Sequence, residues 1–182
     1  MEPHTIQEPA PMTFLNRVLQ IADPRGRCNR KALLTIAVAL LATQSVTCLI
    51  HATIENMAAQ IAATAVELAC IWVATSAAIK RLHDMGQSGW WVPGFFLALL
   101  VWTLLVSFGS FLAFGDAVTS IGSTEFMIHT AIVTALPFAV TIWLHFASGD
   151  KGPNRYGPEP DETGISAPVQ KTNMGSAEPQ LA

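Results

Sequence analysis

Four stretches of this sequence are long enough to cross a lipid bilayer and almost free of charge, and that pattern constrains what the chain can fold into. No Lys, Arg, Asp or Glu stands between Lys31 and Glu55. From Met57 to Ile79 the only charged side chain is Glu67, and Met85–Gly115 and Phe126–Gly149 carry none. A bilayer core is about 30 Å thick and a helix rises about 1.5 Å per residue, so about 20 apolar residues span it. Spans are expected at about 32–50, 57–79, 90–114 and 126–147. A water-soluble bundle would show Lys and Glu on one face every turn or two. The expected fold is therefore all-α: a polytopic membrane bundle of four transmembrane helices, with a short N-terminal amphipathic helix and a disordered C-terminal tail.

Composition agrees. Charged residues are 13% of the 182, about half the usual ~25%, and mean hydropathy is +0.41. The net charge of −3 offers no basic excess for neutralising phosphates, so a nucleic-acid partner is not expected. The three cysteines, Cys28, Cys48 and Cys70, have no paired spacing that would mark a metal site or disulfide framework.

All ten Lys and Arg fall in three segments: Arg17, Arg25, Arg27, Arg30 and Lys31; Lys80 and Arg81; Lys151, Arg155 and Lys171. The connections His51–Asn56 and Gly115–Glu125 have none. Basic residues near helix ends stay cytoplasmic, which puts both termini and the second connection inside. The first apolar run begins after 31 residues rich in acids, prolines and arginines, so it reads as a retained helix rather than a cleaved signal.

Residues 1–12 read as a flexible leader, 13–160 as the membrane domain and 161–182 as a disordered tail without apolar periodicity. Within 13–22, Phe14, Leu15, Val18, Leu19 and Ile21 alternate with polar residues at helical spacing. Such a helix either lies among lipid headgroups or packs on the inner face of its own bundle; Asp23-Pro24 stops it. The second span is crowded with alanines that permit close helix approach, and Pro137 interrupts the hydrogen bonding of the fourth.

The costliest residue is Glu67. Gln60, Thr64 and Glu67 share one face of the second span, and Gln44 lies at a similar depth in the first. A carboxylate at mid-bilayer costs on the order of 2.5 kcal/mol or more. Protonation, with a hydrogen bond to Gln44 or a Thr hydroxyl, relieves that cost. Two readings follow: a structural polar contact between helices, or a proton or cation relay. The histidines considered for a relay path are His129, near the outer end of the fourth span, and His145, near the inner end.

On the expected inner face, Lys80 to Trp91 reads as a connection, with Gly86 and Gly89 supplying turns. His83 beside Asp84 reads either as an acid–base couple or as loop architecture. Trp90, Trp91 and Tyr156 fall at the membrane boundary. Gly149–Pro160 is a rigid non-helical strap; its Asp150, Asn154 and Glu159 are too few carboxylates at loop spacing for a metal site. Arg27, Arg81, Asp84, Asn154 and Tyr156 are expected to form one polar cluster joining leader, second connection and strap.

Three motifs, Gly26-Arg27 with Arg30, Arg81-Leu82-His83-Asp84 with Gly86, Gly89, Trp90 and Trp91, and Gly149-Asp150 with Asn154, Tyr156, Gly157 and Pro160, resemble the signatures of the YhaH-like bacterial inner-membrane proteins, domain-of-unknown-function family 805. The likeness covers roughly 14–160. It implies a small multi-helix protein of the bacterial cytoplasmic membrane and no established activity. Gln87 stands where the family commonly has a basic residue.

The expected function is a non-enzymatic membrane component that acts by assembly or partner binding, with membrane lipids, a second copy or other membrane proteins as partners. No catalytic residue, metal ligand or cofactor is assigned. The alternatives are an oligomeric transport or ion-handling element using Glu67, and an enzyme acting on lipid headgroups through His83 and Asp84.

Overall fold

The computed structural model describes residues 14–166, so the leader 1–12 and the tail beyond Ser166 lie outside the described residues. In chain order the elements are α1 (Phe14–Ala22), β1 (Arg27–Cys28), α2 (Arg30–Thr53), α3 (Met57–Asp84), α4 (Trp91–Phe114), a 3-10 turn (Gly115–Thr119), α5 (Thr124–Phe146) and β2 (Ile165–Ser166). The helices α2 to α5 are each long and apolar enough to cross a membrane. The fold is an all-α bundle of four such helices, and α2–α3 and α4–α5 are its two most extensive helix pairs.

Side-chain caps set the helix starts. Asn29, Asn56 and Ser123 accept from the backbone N–H groups of Ala32, Ala59 and Phe126, opening α2, α3 and α5. Along the spans, large apolar side chains face outward: Leu41 is 69% exposed, Phe138 68% and Leu104 61%. In water this surface would be untenable; in hydrocarbon it is solvated. The small residues lie where α2 and α3 meet, with Thr47, Ala63 and Ala77 each at most 3% exposed. Helix α5 runs through Pro137 as one element.

Helix α2 runs three residues past the expected Ile50 and so takes in His51, and two boundaries differ more widely from the sequence expectation. First, α3 does not end at Ile79 but continues to Asp84, which leaves 85–90 as the connection. Its 28 residues extend about 42 Å at 1.5 Å per residue, well beyond a ~30 Å core. The extra turn is tolerable because Lys80, Arg81 and Asp84, all buried, find polar partners from other elements in Gln20, Leu144 and Arg27. Second, the tail does not lose structure at Asp161. Strand β2 pairs antiparallel with β1, Arg27 opposite Ser166 and Cys28 opposite Ile165. The Asn29 N–H also donates to the Gly164 carbonyl at 2.8 Å. Ile165 packs on the buried cluster of Cys28, Ala32, Leu33, Ile36 and Ala77, so this segment is held by two backbone pairings and an apolar anchor.

Truncation after Pro160 should therefore lower the midpoint of thermal unfolding of the detergent-solubilised protein by several degrees. Truncation after Ser166 should leave it near that of the full chain. Equal midpoints for the two truncations would contradict a structural role for β2.

Candidate functional site

The polar residues concentrate where the start of α2, the end of α3, the end of α5 and the strap 147–160 meet. Arg27 is wholly buried, and each of its five donors has an acceptor. Nε and one Nη2 proton reach Oδ1 of Asp84 at 3.1 and 2.9 Å. The other Nη2 proton reaches the Asp150 carbonyl at 2.6 Å. The Nη1 pair reaches the carbonyls of Gly152 at 2.6 Å and Gly157 at 3.5 Å. A guanidinium carries five donors in a fixed fork, which a lysine ammonium could not match here.

Asp84 is the common acceptor. Its Oδ2 takes Nη1 of Arg81 while Oδ1 takes Arg27, and its backbone carbonyl accepts the Asp150 N–H at 2.7 Å. Arg81 then turns to α5: Nε donates to the Leu144 carbonyl at 2.8 Å and Nη2 to the Ala147 carbonyl. These are among the last carbonyls of α5, which lack partners in their own helix and sit at the negative end of its dipole. Lys80 does the same for α1, donating to the Gln20 carbonyl. Four residues apart on one face of α3, Ser76 and Trp72 both donate to the Ala22 carbonyl, at 2.9 and 3.0 Å. Three buried cations thus share one carboxylate and the negative ends of two neighbouring helices, and among the described residues every buried side-chain nitrogen and oxygen has a partner.

The strap is folded on the same centre. Asn154 donates to the His83 carbonyl at 2.9 Å and to Oδ2 of Asp150 at 3.2 Å, and its own oxygen accepts the Tyr156 N–H at 2.9 Å. The Tyr156 ring stacks on His83 with centroids 3.8 Å apart. Arg155 lies over the other part of this arrangement, 4.7 Å from the Tyr156 centroid, and donates to the Gly86 carbonyl at 3.0 Å. Gly149 passes so close that a Cβ there would collide with the Asp84 carboxylate. Gly86 has φ +68°, a conformation that favours glycine and reverses the chain after α3.

Arg27, Arg81, Asp84, Asn154 and Tyr156 do come together, with Gly26, Asp150 and Gly157 contributing carbonyls. The possible His83–Asp84 couple does not form: Nδ1 of His83 faces the Gly26 carbonyl at 3.1 Å and its ring stacks on Tyr156, while Asp84 holds the two guanidiniums. Gly89 packs against Ile79 and His83. Arg30, Trp90 and Trp91 stand outside the knot and are exposed. The α1 alternatives also resolve: its C-terminal end packs on α3, with Leu19 still outward. Cys28 is buried in β1, and burial pushes its thiol up to about 11, so it is an apolar residue at neutral pH rather than a nucleophile.

Sequence reasoning missed Lys80 and its row on α3. The signal was present as Trp72, Ser76 and Lys80 at intervals of four, a polar stripe that grows more polar toward the helix end. It also missed His51. In the spans, Gln44 does meet Glu67, donating to Oε1 at 3.3 Å, and His51 lies 3.4 Å from the same oxygen. Thr64 instead bonds back to the Gln60 carbonyl of its own helix at 3.0 Å.

With this geometry in hand, residues 21–158 match the family model described as a protein of unknown function, DUF805. The chain belongs to the DUF805 family. It is 27% identical over 107 residues to the uncharacterized protein YiiR of Escherichia coli K12, and equally to that of strain O157:H7. The match covers 58% of this chain and spans 66% of the length of those relatives. No solved structure matches.

Removing the Asp84 carboxylate leaves two buried guanidiniums face to face. D84A should cost about 3–5 kcal/mol of stability, the range for breaking a buried ion pair. Glu159 accepts the Gly152 N–H at an exposed site, so E159A should cost under about 1 kcal/mol. Denaturant unfolding in detergent measures both, and equal losses would contradict the hub role of Asp84.

Proposed function

We propose that this membrane protein is a non-enzymatic component of the bacterial inner membrane that works by assembling with a second copy or with other membrane proteins. The observation that supports this most is the closure of the polar knot. The motif residues with chemical potential are engaged within the chain itself: the five donors of Arg27 by the Asp84 carboxylate and three backbone carbonyls, the oxygens of Asp84 by Arg27 and Arg81, and Nδ1 of His83 by the Gly26 carbonyl. Such a knot rigidifies the end of a bundle. It presents the exposed Trp90, 82% accessible, and Trp91 at the start of α4.

The sides of the bundle are the surface offered to partners and lipid. An apolar cleft of about 830 Å³ between α3, α4 and α5, lined by Ile71, Ala78, Phe95, Val140 and Leu144 among others, suits acyl chains or an apolar helix. The orientation we propose puts both termini in the cytoplasm. Its support is that α2 begins at Arg30 and Lys31, α3 carries Lys80 and Arg81 in its last turns, and the strap holds Lys151 and Arg155, all at the knot end.

Extraction of native membranes with their lipid, followed by mass spectrometry of the intact assembly, tests the first proposal. The expected mass is that of two or more copies, or of this chain with a stoichiometric membrane protein. Recovery of single chains with lipid alone would overturn it. For orientation, S120C in the connection before α5 should react in intact cells with a membrane-impermeant maleimide, whereas K151C should react only after permeabilisation. The reverse pattern would overturn the orientation.

A further inference from the structure

At the end of the bundle opposite the knot, α2 and α3 exchange a second set of polar contacts within the spans. Gln60, in the first turn of α3, donates its side-chain N–H to the Ile54 carbonyl, which can only accept. That fixes the amide, whose oxygen then faces Nδ1 of His51. An amide oxygen has no proton to give, so Nδ1 of His51 carries one. The other ring nitrogen, Nε2, lies 3.4 Å from Oε1 of Glu67. The same Oε1 accepts the side-chain N–H of Gln44 at 3.3 Å. The result is a continuous polar chain from the α2–α3 connection to Glu67, in the order Ile54, Gln60, His51, Glu67, Gln44.

This arrangement dictates a proton count. With Nδ1 protonated, a neutral imidazole turns the lone pair of Nε2 toward Glu67. Against an ionised carboxylate that is a contact between two acceptors, beside an uncompensated charge in hydrocarbon. One proton held between Nε2 and Oε1 removes both penalties, whether the pair is then imidazolium and carboxylate or imidazole and carboxylic acid. The pair is neutral in that state. A second proton would leave it at +1 and loss of the first at −1, and a low dielectric disfavours both.

We propose that His51 and Glu67 form a proton-binding site in the membrane, loaded with one proton from the aqueous compartment at the α2–α3 end. Uptake transfers a proton from water to the Nε2–Oε1 pair and breaks no other covalent bond. Few other charges face it. Glu55 lies in the adjoining connection, and α5, which also packs on α2, brings Glu125 and His129 at the same end. His129 engages the Ser110 hydroxyl of α4 at 3.2 Å, and Asp116 lies in the 3-10 turn. Among the described residues, Glu67 is the one carboxylate at ion-pair distance from His51. This site is independent of the assembly role proposed above.

The test is a pH titration of the full chain in lipid nanodiscs, following the carboxylic C=O stretch by infrared difference spectroscopy and the imidazole nitrogens by NMR of 15N-histidine. E67Q should abolish one carboxyl signal, which identifies Glu67. H51Q should move the midpoint of that signal by at least about one pH unit, a tenfold change in proton affinity. A Glu67 midpoint unmoved by H51Q would overturn the proposal. Should either variant fail to fold, the wild-type protein decides. One imidazole that changes protonation over the same pH interval as a carboxyl group supports the site. Carboxyl titration confined near the ordinary glutamate value of about 4.3, with every imidazole titrating separately, overturns it.

Discussion

A carboxylate between two guanidiniums, all three nearly sealed from solvent, holds the basic end of this protein together. Neither arginine is tolerable there without Asp84, because the desolvated cations would face each other directly. Because Asp84 holds Arg27, the remaining donors of Arg27 are placed against the Asp150, Gly152 and Gly157 carbonyls. Because it holds Arg81, that side chain reaches the end of α5. One side chain on the last turn of α3 thereby connects β1, α5 and the strap, three parts of the chain up to 130 residues apart in sequence.

The same end explains how a helix can carry buried charge without a compensating number of acids. Lys80 and Arg81 donate to the terminal carbonyls of α1 and α5, where each helix dipole presents about half a negative charge. Backbone carbonyls that no intrahelical N–H can satisfy become the counter-charge. The cations of α3 and the orphan acceptors of its neighbours solve each other's desolvation problem, and α3 can extend past the hydrocarbon as the post on which the other helices end.

The two ends of the bundle differ in a way that bears on function. At the basic end, geometry and charge leave every buried polar side-chain atom partnered in a single arrangement. At the far end, Gln44 and Gln60 have their partners, and only the contact between Nε2 of His51 and Oε1 of Glu67 depends on a proton held between them. The first arrangement favours rigidity. The second sets a chain of donors and acceptors across the interface of α2 and α3.

The sequence by itself determined the four spans, the gathering of basic residues at one end, the placement of Gln44 and Glu67 at one depth, with Gln44 or a threonine hydroxyl as the partner, and the meeting of Arg27, Arg81, Asp84, Asn154 and Tyr156. Spans follow from transfer free energy, which adds up along a local stretch of chain, and which end a motif occupies follows from counting spans. Only the tertiary structure decided that α3 continues to Asp84, that Lys80 serves α1, that His83 stacks on Tyr156 rather than joining Asp84, that Ile165 and Ser166 pair with β1 and that His51 completes the Glu67 site. Those outcomes turn on which unpaired carbonyl or donor arrives within about 3 Å of a side chain, and that depends on segments far apart in sequence, which no local pattern of polarity encodes.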